Sequence, residues 1–178
     1  MGSQRNAFRS VDGMETYVPD AGALIDLHHH FRAGFRKLGK MAQQGQIKIP
    51  EGIFRELQRK TDRLSKIVQR WSQKNSDCIV RIARVHNLAG ELARIERQYG
   101  EQIVVGEKPY PGFWHSPAGR KAADGQLIAV AKVLSAIVVS DDRAVRLACM
   151  LENIPCIGWT EFARRANLFT QPRLPGIE

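Results

Sequence analysis

The chain has 178 residues, a formal net charge of +9 at pH 7, 43% hydrophobic residues and 25% charged residues. These values exclude a disordered chain and are sufficient for one domain with its own core. No apolar stretch approaches the ~20 residues of a membrane helix, and three cysteines without a CxxC motif favour a disulfide-free cytoplasmic protein. We expect a single domain at 14–170, between a flexible arm or expression-derived segment (1–13) and a tail (171–178).

The N-terminal half alternates short strand-like segments with amphipathic helices. Apolar residues recur at three- and four-residue steps between Leu24 and Leu38, which predicts one continuous helix there. Pro50 fits the first turn of the helix that follows the second strand. Strands are predicted at 16–18 and 47–49, and helices at 24–38, after Pro50, and at 64–71 and 88–99.

The C-terminal half has the most regular pattern. Three prolines and the aromatic residues Tyr110, Phe113 and Trp114 predict a loop over 106–119, with the aromatic rings packed as a plug or free to stack on bases. Thr160 is the predicted N-cap of the last helix. Helices are predicted from Asp124, Asp142 and Thr160, and strands at 136–139 and 154–159. This alternation implies βαβ units, a parallel sheet and an α/β fold.

Four carboxylates lie at the edges of these apolar segments: Asp20, Glu56, Asp124 and Asp142. Any one of them is explained by the preference of acidic side chains for helix N-termini. Asp20 and Asp142, however, directly follow predicted strands, and sites in α/β sheets form beyond the carboxyl ends of strands. We therefore expect the four side chains to approach one another at one edge of the sheet.

Gathered carboxylates repel one another unless protons or cations neutralise them. Oxygen ligands without thiolates or paired imidazoles suit Mg²⁺ or Mn²⁺. Such an ion lowers the pKa of a bound water and stabilises the leaving oxygen in phosphodiester cleavage. The carboxylate set therefore predicts a magnesium or manganese site.

Positive charge is concentrated between Arg32 and Arg84, where 14 Lys and Arg residues stand against four acids, a net charge of +10. Such a field attracts polyanions and makes their binding salt-dependent, although a solvated helix face has the same composition. We expect a nucleic-acid partner, and the candidate backbone contacts are Arg32, Arg36, Arg59, Arg63 and Arg70.

The set of four carboxylates and the segments around them resemble the PIN-domain ribonucleases, the family that includes the VapC-like toxins of toxin–antitoxin pairs. VPDAGALI at Asp20 is similar to the family's first strand-end Asp, and IPEGIFREL at Glu56 to its Glu-Leu helix. DGQLIAVA at Asp124 resembles its D-x-x-[LI]-A-x-A helix, and SDD its [ST]-x-D strand end, which assigns Ser140 and Asp142. The resemblance spans most of residues 18–162.

The resemblance implies a three-layer α/β/α sandwich with a central parallel sheet, dependence on Mg²⁺ or Mn²⁺, and endoribonuclease activity. It also implies an antitoxin protein as a partner, and a homodimer. Where the family usually has a hydroxyl or Asn two residues after the first Asp, this chain has Gly22. Asp141 and Glu51 are rivals to Asp142 and Glu56, with Asp141 as a supporting residue. The alternative function is a catalytically silent RNA-binding or protein-interaction module.

Overall fold

A computed structural model describes residues 13–117 and 123–169. The predicted tail (171–178) and all but the last residue of the predicted arm (1–13) lie outside the described residues. The helices are α1 (Ala21–His30), α2 (Phe35–Gln43), α3 (Glu51–Gln58), α4 (Arg63–Lys74), α5 (Leu88–Tyr99), α6 (Asp124–Leu134), α7 (Arg143–Leu151) and α8 (Trp159–Arg165). The strands are β1 (Tyr17–Pro19), β2 (Ile49–Pro50), β3 (Ile79–Val80), β4 (Gln102–Val105), β5 (Lys108–Pro111), β6 (Ile137–Val139) and β7 (Cys156–Ile157).

The expected α/β fold with a parallel sheet is confirmed. Strand β6 pairs in parallel with β1 on one side and with β7 on the other, and β2 pairs in parallel with β3. A parallel bridge between Tyr17 and Ile47 joins the two groups, with Tyr17 N–H donating to Gln46 O at 2.8 Å and Lys48 N–H to Tyr17 O at 2.9 Å. The strands therefore follow one another in the order β3-β2-β1-β6-β7.

Alternating strand residues pack into two separate cores, one on each face of the sheet. Tyr17 and Val139 belong to the core formed with α1, α2, α3, α4 and α8, whereas Val18 and Val138 belong to the core formed with α5, α6 and α7. Parallel strands read as continuous apolar runs for this reason, because both of their faces are covered. The arrangement is compatible with the expected sandwich.

The single helix predicted over 24–38 is instead two helices. Helix α1 ends before Phe31, whose ring turns toward Trp159 and Phe169, and α2 begins after Gly34. A Cβ atom on Gly34 would lie 3.0 Å from the carbonyl oxygen of Leu168, so the chain passes close to its own C-terminal region there. Both helices bury their apolar residues in the same core, which is why the spacing continues across the break.

An antiparallel hairpin that was not predicted begins before the expected loop over 106–119 and extends into it. Strands β4 and β5 pair in the register Val105 to Lys108, around a turn in which Gly106 has a φ of 63°. Prolines in β5 argued against a strand, but proline is tolerated on an edge strand. After the hairpin, Phe113 is 2% exposed and packs against Tyr99, as the plug interpretation expects.

Helix starts are partly as predicted. Asp142 is the N-cap of α7, accepting a hydrogen bond from Val145 N–H at 3.0 Å, whereas the N-cap of α8 is Gly158 and Thr160 lies inside the first turn.

Cys78, Cys149 and Cys156 are free thiols. No helix among the described residues has both the length and the apolar character needed to cross a membrane.

Candidate active site

Four carboxylates from four separate segments line one cleft at the carboxyl edge of the sheet. Asp20 follows β1, Asp142 lies beyond β6, Glu56 lies in α3 and Asp124 is the first residue of α6. The cleft has a volume of about 460 Å³. We call this space the carboxylate cleft. The structure thus brings together the four side chains that the sequence singled out, while their chemical role stays a prediction.

Asp20 is held by hydrogen bonds that join the ends of β1 and β6. Its Oδ1 accepts from Ala23 N–H at 2.5 Å, which caps α1, and its Oδ2 accepts from the Ser140 hydroxyl. Ser140 Oγ in turn accepts from Asp142 N–H at 3.1 Å. One hydroxyl therefore orients two carboxylate-bearing segments, while the supporting role of Ser140 in a metal site stays a prediction.

Asp20 and Asp124 are strained electrostatically. Burial raises the pKa of Asp20, although the hydrogen bonds from Ser140 and Ala23 act in the opposite direction. Burial, followed by the charges of Asp142, Asp20 and Glu56, raises the pKa of Asp124 to about 7. Each of those contributions disfavours the ionised form. Negative charge thus accumulates in the cleft, and none of its described lining residues is a Lys or an Arg.

The rival acids have structural partners. Glu51 accepts from Ile82 N–H at 2.8 Å and pairs with Arg55 at 2.7 Å, outside the carboxylate cleft. Asp141 lines the cleft, but its Oδ2 accepts from Trp159 N–H at 3.1 Å and its Oδ1 faces Arg146 at 3.3 Å. Neither oxygen of Asp141 is without a partner, so its geometry is that of a residue that positions α8.

Three further residues of the cleft were not identified from the sequence: Asp26, Ser116 and Trp159. Asp26 stands four residues after Gly22 on α1, a spacing that places both on one face and could have been read from the sequence. Ser116 reaches the cleft only through the tertiary fold, because Gly112 allows the chain after the hairpin to pass against the end of α5. A Cβ atom at Gly112 would lie 2.2 Å from Tyr99 O.

The residues of the cleft fit a hard divalent cation in chemical type. All of the acidic donors are carboxylates, and the Ser116 hydroxyl is buried without a hydrogen-bond partner in the described parts of the chain. The side chains do not stand as a closed ligand set, since no three His, Cys, Asp or Glu residues within 13–117 and 123–169 are grouped closely enough to hold an ion. The donor chemistry and the orphaned hydroxyl support a cation there.

Gly22 leaves room beside Asp20. A Cβ atom at this position would lie 3.5 Å from Asp20 Oδ1, which is an ordinary van der Waals contact. The backbone at this position therefore has room for a Cβ atom.

Four of the five candidate RNA-binding arginines line a second, positively charged depression between α2 and α4. We call it the basic groove; its lining residues include Arg32, Arg36, Arg63, Arg70, Lys40 and Lys74. Arg59 is exposed but does not line the basic groove. Lys40 and Lys74 are not among the nucleic-acid contacts predicted from the sequence.

The fold and the cleft define an α/β protein with a parallel sheet and an acidic cleft at its carboxyl edge. The chain belongs to the family described as Domain of unknown function (DUF4411), whose model matches residues 17–169. No curated protein was found to match it.

Proposed function

We propose that this protein is a metal-dependent endoribonuclease with a PIN-like α/β/α sandwich. The observation that carries the proposal is the convergence of Asp20, Glu56, Asp124 and Asp142 on one cleft from segments far apart in sequence. Asp20 and Asp142 cap helices after neighbouring strands, but Glu56 and Asp124 are not N-caps, so capping does not explain why all four acids share the cleft. The resemblance to PIN-domain ribonucleases rests on the same four residues.

Asp20, Glu56, Asp124 and Asp142 would hold Mg²⁺ or Mn²⁺. When bound, the metal would offset the repulsion among the carboxylates and supply an activated water and a Lewis acid for phosphate oxygens. The chain's own residues orient the site. Ala23 N–H and the Ser140 hydroxyl fix the Asp20 carboxylate, and Val145 N–H fixes one oxygen of Asp142, whose other oxygen accepts no hydrogen bond from the described residues.

The test is cleavage of a mixed-structure RNA by purified protein in Mn²⁺, with EDTA and an Asp124→Asn/Asp142→Asn variant alongside. We expect cleavage that both controls abolish. Asp77→Asn is the matched control, because Asp77 is exposed and lies outside the carboxylate cleft. Cleavage that persists in EDTA or in the double variant contradicts the proposal.

A catalytically silent RNA-binding module on the same fold is the second candidate. Two observations favour it: the carboxylates do not stand as a closed ligand set among the described residues, and Gly22 replaces a residue with a polar side chain. Metal titration followed by thermal unfolding separates the candidates independently of activity. If the protein is a nuclease, Mn²⁺ should raise its melting temperature, and the Asp124→Asn/Asp142→Asn variant should lose this stabilisation. If it is a silent module, Mn²⁺ should leave the melting temperature of both proteins unchanged.

We further propose, on the resemblance alone, that the protein is the toxin of a toxin–antitoxin pair with a small antitoxin partner, and that it forms a homodimer. Co-expression with the product of a small open reading frame adjacent to its gene tests the first point. An antitoxin should co-purify with the protein and inhibit cleavage. Light scattering of the isolated protein tests the second.

A further inference from the structure

The basic groove is a concave surface site whose charged lining residues are all cations. It has a volume of about 530 Å³, and its walls are formed by α2 and α4, which pack against each other. Six of its lining residues are cations, and no Asp or Glu is among the lining residues that the structure describes. A concave site lined by one sign of charge concentrates its field and draws in ligands of the opposite charge.

Among the described residues, the cations of the basic groove have no acidic partners, and Arg70 Nε donates only to the carbonyl oxygen of Lys66 at 3.3 Å. Elsewhere, Arg94, Lys132 and Arg164 form ion pairs with acidic side chains. Within the described residues, none of the six groove cations forms an ion pair. Their field also reaches α1, because the pKa of His28 is lowered first by burial and then by Arg32 and Arg63. A polyanion bound in the groove would reduce the repulsion among its cations.

The floor of the basic groove is aromatic but covered. The rings of Phe35 and Trp71 stack with centroids 5.4 Å apart at 22°, and a Cβ atom on Gly39 would lie 2.9 Å from Trp71 Nε1. Trp71 is only 5% exposed. A base could not stack on a ring buried to this extent. The groove is therefore built to recognise phosphate charge rather than base identity.

The basic groove and the carboxylate cleft stand at opposite ends of one helix. Asp20 caps the start of α1 and Arg32 lies just beyond its end. Ten helical residues at 1.5 Å per residue place the two about 15 Å apart along the helix axis. At this axial separation, a strand anchored beside Arg32 would need only a few nucleotides to reach Asp20.

We propose that the basic groove binds the sugar–phosphate backbone of RNA without base preference and anchors the strand that the carboxylate cleft acts on. The choice of RNA as the polyanion rests on the proposed function. The groove adds contacts beyond the predicted arginines, namely Lys40 and Lys74, and it leaves Arg59 outside.

The test measures the affinity of a fluorescein-labelled 15-nucleotide uridine RNA by anisotropy in EDTA, over a range of NaCl concentrations. The variant Arg36→Gln/Arg70→Gln neutralises one exposed cation on each wall. The matched control, Arg97→Gln/Lys108→Gln, removes the same charge at exposed positions outside the groove. Thermal unfolding verifies that both variants are folded.

We expect the groove variant to bind at least about tenfold more weakly than the control. We also expect the slope of log K against log salt to fall in magnitude by about 1.4, which corresponds to two lost phosphate contacts on a single strand. An adenosine RNA of equal length should bind like the uridine RNA. Equal losses in the two variants would mean that net charge alone is responsible and would overturn the proposal.

An acidic partner is the other outcome of the test. If a glutamate-rich peptide binds with the same dependence on Arg36 and Arg70 while RNA does not bind, the groove is a protein interface and the proposal is wrong. Mn²⁺-dependent cleavage is measured separately, so the two proposals fail independently. If binding depends on the groove but no cleavage occurs, the nuclease proposal is wrong and RNA binding by the groove stands. If cleavage occurs and the groove variant binds RNA as well as the control does, the groove proposal is wrong and the nuclease proposal stands.

Discussion

Replacing Asp124 by Asn should stabilise the metal-free protein while abolishing the proposed activity. Burial and three neighbouring acids raise the pKa of Asp124 from its ordinary 3.8 to about 7. Since one pKa unit is worth about 1.4 kcal/mol, ionisation of this group costs the folded state about 4 kcal/mol at pH 8. The penalty is absent below the unfolded pKa near 4, grows as pH rises, and is complete above the folded pKa near 7.

The assay is urea unfolding in EDTA at intervals between pH 5 and pH 8. The wild-type protein should lose stability across this window, and Asp124→Asn should lose less of it by about 2.5–3 kcal/mol, because an amide carries no titratable charge and the rest of the penalty is already present at pH 5. Asp77→Asn, at an exposed carboxylate outside the cleft, should follow the wild type. Parallel pH profiles for the wild type and Asp124→Asn would refute the electrostatic reasoning, even if cleavage were lost.

Three further changes have defined outcomes. Glu152→Gln should destabilise the protein by about 3 kcal/mol at pH 7, since hydrogen bonds from Arg94 lower the pKa of Glu152 from 4.5 to about 2; the wild-type advantage should vanish between pH 4.5 and 2 in acid unfolding. Gly22→Ala should raise the free energy of unfolding by about 0.5–1 kcal/mol through helix propensity, and a decrease in urea titration would mean that the site tolerates no Cβ. Ser116→Ala should leave metal-free stability unchanged or raise it by about 1 kcal/mol, because it removes a buried hydroxyl that has no partner among the described residues, but should weaken Mn²⁺-dependent stabilisation in thermal melts.

Local spacing predicted the helices that lie wholly inside one core. Helices α4 and α5 occupy the predicted positions because their apolar residues face a single partner surface. The break between α1 and α2 could not be read in the same way, since both helices face one core and the turn is set by contacts of Phe31 and Gly34 with distant residues. Spacing reports which face is buried and not whether the backbone is continuous.

The carboxylate cleft was predictable because topology acts on short motifs. Asp20 and Asp142 follow neighbouring parallel strands, and parallel strands end at one edge of the sheet, so their side chains meet there whatever the loops do. Ser116 follows no such rule. Its place depends on the hairpin and on the close approach of Gly112 to the end of α5, which only the folded chain reveals.

Two acids inside the fold contrast sharply, and the contrast bears on function. Glu152 is 8% exposed and is surrounded by Arg94, Lys132 and Tyr99, which together lower its pKa. Asp124 meets only other carboxylates among the described residues, although the chain has 27 Lys and Arg residues. A protein this basic has the means to neutralise a buried acid and does so at Glu152. Ionisation of Asp124 beside these described neighbours lowers stability, and a cation bound in the carboxylate cleft would explain why this acid is retained.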